Sequence, residues 1–254
     1  MTRPPILSVI IPALNEEIHL RGSLERVCSY FAARGLPTEI LLVDDGSTDL
    51  TAEVAVNTAI PDPSLLEIRV LRNEINRGKG YSVRRGMLES RGLFALMTDA
   101  DLSTPIEEFS KLESSVIDGS FQVGIGSRDM EGSRVEVHQS GIRENSGRLF
   151  NVFVRLFFPL PFRDTQCGFK LFSMQQCRRI FEVQRLERFA FDVEVLLIAH
   201  QLGLKTEEIP VVWRHAEEST LNFFRDGPKM LLDLLRIRWY ALSGKYSSAE
   251  KDSP

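Results

Sequence analysis

Two aspartates one residue apart, Asp99-Ala100-Asp101, follow the apolar run Leu93–Thr98. At a strand terminus such a pair brings carboxylate oxygens near one hard divalent cation. Mg²⁺ or Mn²⁺ prefers oxygen ligands, with substrate phosphates and waters completing the shell. Taken alone, an Asp-x-Asp is as common in solvated acidic turns, so its neighbours must decide. Asp44 and Asp45 close another apolar run, and their acceptor-only carboxylates suit a base or a ribose. Gly78-Lys79-Gly80 opens a helix-like stretch, where backbone N–H groups, the helix dipole and Lys79 are expected to face a phosphate. The spacing is not that of a P-loop, and no G-x-G-x-x-G follows the first strand. Metal, base and pyrophosphate sites in one chain together describe a pocket for a nucleotide sugar.

The elements that must hold these residues alternate. Short β-rich runs occur at Ile6–Ile11, Glu39–Val43, Ile68–Leu71, Leu93–Thr98 and Val123–Gly126. Between them lie helix-length stretches, Glu16–Arg34, Asp49–Thr58, Lys79–Ser90 and Pro105–Asp118. Near-continuous apolar runs read as parallel strands covered on both faces, and the alternation predicts a doubly wound α/β sheet. Ser47-Thr48-Asp49 is expected to cap the second helix, and Thr104-Pro105 to place proline at the first position of the fourth. Ligands of such sheets bind beyond the carboxyl ends of the strands. All five ends here are polar, including Pro12-Ala13-Leu14-Asn15-Glu16 after the first strand and Ser127-Arg128 after the fifth.

Composition narrows the class. Of 254 residues 43% are hydrophobic and 26% charged, with a formal net charge of −4, ordinary globular usage that excludes a disordered chain and a general nucleic-acid binder. Cys28, Cys167 and Cys177 are too widely spaced for a disulfide framework or a zinc site. Cys167 and Gly168 are expected to serve packing and a tight turn. No signal peptide is expected, because Met1-Thr2-Arg3-Pro4-Pro5 leads straight into a strand-like run, and no spanning segment, because the longest uncharged stretch, Pro4–Asn15, falls far short of about 20 apolar residues.

After residue 130 the pattern changes. A polar loop (Met130–Ser140) precedes a helix expected over Asn145–Phe158, then the short motif Asp164–Lys170. Helices are expected over Gln175–Val183, Phe191–Leu202 and Pro228 to about Leu242, with a strand at Ile209–Trp213 and a frayed tail after residue 246. The Asn145–Phe158 helix is apolar over most of its circumference, so it is either buried or laid against lipid. Cations cluster there and at Arg225, Lys229, Arg236, Arg238 and Lys245, a pattern suited equally to an anionic membrane surface and to a solvated helix face.

As a set, Pro12…Asn15-Glu16-Glu17, Val43-Asp44-Asp45-Gly46-Ser47-Thr48-Asp49, Asn76-Arg77-Gly78-Lys79-Gly80 and Asp99-Ala100-Asp101 resemble the family 2 glycosyltransferases of the GT-A fold. The later motifs Arg163–Phe172, Arg188–Glu194 and Glu208–Trp213 resemble the dolichyl-phosphate β-glucosyltransferase branch, with dolichyl-phosphate mannose synthases as near relatives. The resemblance covers about residues 6–242. It implies a GT-A α/β fold with a mostly parallel sheet and a C-terminal, acceptor-side helical elaboration. One domain would span residues 1–246, with a nucleotide-sugar half (about 6–128) and an acceptor half (about 129–246).

The activity implied is inverting transfer of a hexose, glucose first, from UDP-glucose to a polyprenyl or dolichyl phosphate. GDP-mannose as donor, a family 2 enzyme with a phosphate-free acceptor, and a silent nucleotide-sugar-binding subunit are the alternatives. On the resemblance, Pro12, Ala13, Asn15, Glu16, Asp44, Asp45, Lys79, Ala100 and Gln166 line the nucleotide sugar. Asp99 and Asp101 hold Mg²⁺ or Mn²⁺ with the diphosphate, and Arg128, Arg143, Ser146 and Arg148 receive the acceptor phosphate. Asp192 and Glu194 stand near the donor sugar. Peripheral attachment to the cytoplasmic face of a membrane follows from a lipid-borne acceptor. The chemistry is consistent with only four histidines, since a phosphate monoester with a second pKa of about 6 is already a dianionic nucleophile and needs no general base.

Overall fold

The computed structural model describes residues 3–136, 154, 156–214 and 223–246. Among them the seven-stranded central sheet runs in the order β3-β2-β1-β4-β7-β5-β8. Its members are β1 (Leu7–Ala13), β2 (Thr38–Asp44), β3 (Leu66–Arg72), β4 (Phe94–Met97), β5 (Val123–Ser127), β7 (Lys170–Ser173) and β8 (Thr206–Pro210). The helices are α1 (Leu20–Ala33), α2 (Thr51–Val56), α3 (Lys79–Glu89), α4 (Phe109–Val116), α5 (Met174–Val183), α6 (Phe191–Gln201) and α7 (Phe223–Leu242).

Alternation along the buried strands sorts side chains to two faces. Ile10, Leu41, Val43, Ala95 and Met97 face one core with Val83 and Met87 of α3, Ile180 and Phe181 of α5, and the apolar residues of α6. Leu7, Val9, Ile11, Ile40 and Leu42 face the other, against Leu24, Val27 and Phe31 of α1 and Phe109 and Leu112 of α4. Both faces are covered, which is why β1 and β2 read as near-continuous apolar runs.

The five strands expected in the first half are all present, whereas the one expected at Ile209–Trp213 is divided between β8, which ends at Pro210, and a separate two-residue strand, Val212–Trp213, in another sheet; β7 is the departure that matters. It lies antiparallel between β4 and β5, with Met97 opposite Lys170 and Ile125 opposite the same residue. As a stretch of four residues beginning with a lysine it carries no strand signature, so the reading of Asp164–Lys170 as a compact motif stopped at its edge. The loop expected over Met130–Ser140 contains β6 (Arg134–Val135), paired with β9 (Val212–Trp213) in a second small sheet. Helix α1 begins at Leu20 rather than Glu16, because residues 15–17 are tied to the β2–α2 loop instead. Asp49 does not cap α2 from Ncap; it accepts from the Thr51 N–H and hydroxyl just inside the first turn, and Leu50 holds the cap position. Pro105 sits one residue before a short 3₁₀ turn, Ile106–Glu108, that leads into α4. Arg143, Ser146 and Arg148, the tail after 246 and all but the end of the Asn145–Phe158 helix lie outside the described residues.

Candidate active site

The carboxyl ends of β1 and β2 are joined loop to loop. Asn15 takes a left-handed conformation (φ 56°), one that asparagine tolerates better than most residues. Its N–H donates to Ser47 Oγ at 2.9 Å, and its Oδ1 accepts the Thr48 N–H at 2.9 Å. The Glu16 N–H donates to Thr51 Oγ1 at 2.8 Å. Asp44 is buried; its Oδ1 accepts the Ser47 N–H at 2.9 Å, while Oδ2 lies 3.2 Å from Arg72 Nε but accepts no aligned hydrogen bond. The Arg72 charge thus offsets part of the cost of burying an acceptor that lacks an aligned hydrogen bond.

Asp45 is committed elsewhere. It accepts from Asn73 Nδ2 (2.7 Å), Arg77 N–H (3.0 Å) and Gly78 N–H (2.7 Å), and so anchors the loop before α3. That corrects one sequence expectation. The N-terminus of α3 is no open phosphate cradle, because Asp45 takes the Gly78 N–H and Glu187 O takes the Tyr81 N–H. Residues 186–191 pack so closely there that a Cβ on Gly80 would lie 2.7 Å from Leu186 O and from Phe191 Cβ. What α3 does deliver is Lys79, whose Nζ lies 2.5 Å from Asp99 Oδ1.

Asp99 follows β4 and is flanked by cations. Burial by itself favours its neutral form, but Lys79 first, then Lys170 and Arg128, outweigh that and hold its carboxyl below the usual range. Burial likewise works against the Lys79 ammonium, and Asp99, Asp192 and Asp101 overcome it and raise its pKa. Asp101 is more exposed and accepts from the Ser103 N–H and hydroxyl, both at 2.8 Å. Lost hydration within the cleft, and then the Asp99 charge, raise its carboxyl. Two hard carboxylates, Asp99 ionised among cations and raising the cost of ionising its more solvent-open neighbour Asp101, fit a divalent cation. Among the described residues no group of three or more potential ligands gathers, so substrate oxygens and water would complete the shell.

Gly168 lies against this pair. Its φ is not positive; a Cβ there would overlap Asp99 Oδ2 and stand 2.7 Å from Asp99 Cγ, so the glycine is required by close approach rather than by a turn. Beneath it, Lys170 is fully buried, with Nζ 2.5 Å from Asp192 Oδ1 and 2.6 Å from Cys167 O. Burial raises the Asp192 carboxyl despite that lysine. Glu194 faces away into structure, accepting from the Arg185 and Leu186 N–H groups and from Tyr246 Oη.

Arg128 follows β5 and is held by Asp164 through two contacts, Nε at 2.6 Å and Nη2 at 2.9 Å, with its guanidinium 5.6 Å from the Trp213 ring centroid. Asp164 is buried and is itself positioned by the loop; its N–H and that of Arg163 donate to the Glu208 carboxylate. The Gln166 N–H returns to Asp164, and Gln166 Nε2 is a buried donor with no protein partner. The structure therefore brings Lys79, Asp99, Asp101, Gly168 and Arg128 to one cleft and places Asn15, Glu16 and Asp44 on the neighbouring strand ends. Lys170, Asp164 and Glu208 were missed as site-building residues. The signal for Lys170 was present in the chain, a lysine between Phe169 and Leu171-Phe172, where a charge has no solvated reason to be.

Comparison with known proteins agrees with this geometry. Residues 8–181 match the family described as "Glycosyl transferase family 2". The dolichyl-phosphate beta-glucosyltransferase of Dictyostelium discoideum is 36% identical over 247 residues, covering 94% of this chain and 75% of that protein. The human protein of that name is 36% identical over 250 residues (94% and 77%). Among solved structures, glucosyl-3-phosphoglycerate synthase from Mycobacterium tuberculosis with Mn²⁺, UDP and glucosyl-3-phosphoglycerate aligns with a TM-score of 0.65 at 20% identity, over 92% of this chain and 80% of that one. Mannosyl-3-phosphoglycerate synthase from Rubrobacter xylanophilus gives 0.65 at 17% (98% and 77%). Fold and site thus define a glycosyltransferase of the GT-A type. This chain belongs to glycosyl transferase family 2.

Proposed function

We propose that this enzyme transfers glucose, with inversion, from UDP-glucose to the phosphate of a dolichyl or related polyprenyl phosphate. The observation that carries the reading is the cleft in which a carboxylate pair, Asp99 and Asp101, meets the cations Lys79 and Arg128 at the ends of α3 and β5. The relatives' shared name supplies the glucose and the lipid phosphate. Asp44, whose Oδ2 is ion-paired with Arg72 but accepts no aligned hydrogen bond, and the Asn15–Glu16 loop are assigned to the nucleoside. Asp99 and Asp101 would hold Mg²⁺ or Mn²⁺, which neutralises charge on the departing diphosphate when bound. Lys79 is placed to pass from Asp99 to that diphosphate. Gln166, whose Nε2 lacks a partner, is assigned to a sugar hydroxyl.

Asp164 takes Nε and Nη2 of Arg128, leaving Nη1 outside that pair and the guanidinium rigidly placed for an anionic acceptor. The acceptor phosphate is its own nucleophile, so the chain's task is to hold two anions in line at the anomeric carbon. Residues Arg143, Ser146 and Arg148 are proposed to share the acceptor phosphate. The lipid-borne acceptor places the enzyme at a membrane surface. Among the described residues no helix is long and apolar enough to cross one, and a peripheral position on the cytoplasmic face is the corresponding proposal.

Radiolabelled UDP-glucose and GDP-mannose, each offered with polyprenyl phosphate and with free polyprenol, test the reading. Label should enter lipid only from UDP-glucose and only with the phosphate present. Preference for GDP-mannose would reassign the donor, and glucosylation of the free alcohol would remove the acceptor assignment.

A further inference from the structure

Helix α7 presents an apolar line to solvent. Spacings of four, four and three align Leu231, Leu235, Trp239 and Leu242, and Leu232 widens the line on one side; these residues are between 36% and 76% exposed. The opposite face, Met230, Leu234 and Ile237, is buried in the core, so the helix is already seated and its outer face is left over. Exposed Leu156 extends the patch, because Arg238 Nη1 donates to Phe157 O at 3.0 Å and draws that segment alongside. Soluble proteins rarely expose contiguous apolar surface of this kind without using it.

The charges around the patch have one sign. Arg238 flanks it on one side, with Lys229 and Arg236 on the other, and Lys245 Nζ lies 4.0 Å from the Trp239 ring centroid. The sole acid from 229 to 246 is Asp233, which is buried and accepts from Arg236 at 2.7 Å. Two copies of such a face would oppose cation to cation, which disfavours self-association. A bilayer with anionic headgroups supplies both an apolar layer for the leucines and negative charge for the flanks, with tryptophan at the depth it prefers.

We propose that the α7 face, with Leu156, is the surface by which this enzyme lies on an anionic membrane. The proposal deepens the reading that the acceptor is lipid-borne and rests on it for its purpose. The packing also gives it reach. Arg185 stands 5.7 Å from the Tyr240 ring, and Tyr246 Oη donates to Glu194. Both belong to the 185–194 segment that covers the start of α3 beside Lys79. A bilayer under α7 is therefore one packed layer from the cleft wall.

Flotation of the whole chain with acceptor-free vesicles tests this, comparing phosphatidylcholine alone with phosphatidylcholine plus phosphatidylserine. Wild type should float with the anionic vesicles and be released by high salt. Leu235→Glu with Trp239→Glu should weaken partitioning by roughly tenfold or more, with the thermal midpoint kept because both side chains are exposed. Lys229→Gln with Arg236→Gln should weaken it by about fivefold per cation removed. Indifference of wild type to both vesicles, equal binding by the variants, or a wild-type dimer that Leu235→Glu/Trp239→Glu dissociates would overturn the proposal. Since these vesicles hold no acceptor, failed flotation with intact glucosyl transfer removes only the docking surface, and the reverse outcome removes only the proposed reaction.

Discussion

At the scale of single residues, identical side chains do different work according to what reaches them. Asp99 and Asp101 share a cleft with Lys79, whereas Asp45 is spent on backbone N–H groups and Asp164 on Arg128. Asp99→Asn or Asp101→Asn should lower kcat by about a hundredfold or more while far-ultraviolet circular dichroism stays unchanged. Gly168→Ala is a sharper probe, because its methyl must displace the Asp99 carboxylate. An ångström of misplacement suffices for about a hundredfold loss of turnover; near-wild-type kcat would show that Asp99 is free to shift. For Asp164, burial alone would raise the carboxyl, but Arg128 and the Arg128 and Gln166 N–H groups lower it. The folded chain therefore binds this proton less readily than the unfolded one. Its stabilisation is complete above the ordinary aspartate range, about pH 4, and is lost as pH falls from there toward the lower native value. Asp164→Asn should cost about 2 kcal/mol near neutrality and flatten the acid limb of unfolding free energy against pH.

At the scale of elements, two helical glycines separate propensity from packing. Gly22 lies on the exposed side of α1, where an added methyl would meet nothing within 4 Å, so Gly22→Ala should stabilise by about 0.5–1 kcal/mol. Gly80 is in α3, where an added methyl would lie only 2.7–2.8 Å from Leu186 O, Arg188 O and Phe191 Cβ. There the same change should destabilise by about 1–3 kcal/mol, since backbone atoms cannot yield as a side-chain end would. Thermal unfolding of the pair reads the sign directly. The helices themselves were legible from strand-helix alternation and the apolar period. Their starts were less so, because residues 15–17 resemble a helix's first turn until the β2–α2 loop claims their N–H groups.

At the scale of the molecule, β7 carries the second half of the chain into the sheet of the first, and a buried ion pair accompanies it. Lys170→Met alone should cost about 3 kcal/mol by leaving Asp192 buried and unpaired. Lys170→Met with Asp192→Leu should recover much of that loss, a coupling that a double-mutant cycle in urea measures directly. Additive losses would mean the two groups are separately satisfied.

Local patterns in the sequence were sufficient for the parallel order of helix and strand and for polar strand ends carrying Asp44, Asp99 and Arg128, because burial on both faces writes itself as apolar runs and α/β sheets gather sites at their carboxyl ends. Roles were another matter. Whether a carboxylate meets a ligand, a backbone or an arginine depends on partners 20 to 36 residues away, such as Lys79 for Asp99 and Arg128 for Asp164. The antiparallel entry of β7, the need for Gly168 beside Asp99, and the outward face of α7 were decided only by tertiary packing. Each is a fact about which surfaces are brought within a few ångströms, and contact between distant segments leaves no period in the chain.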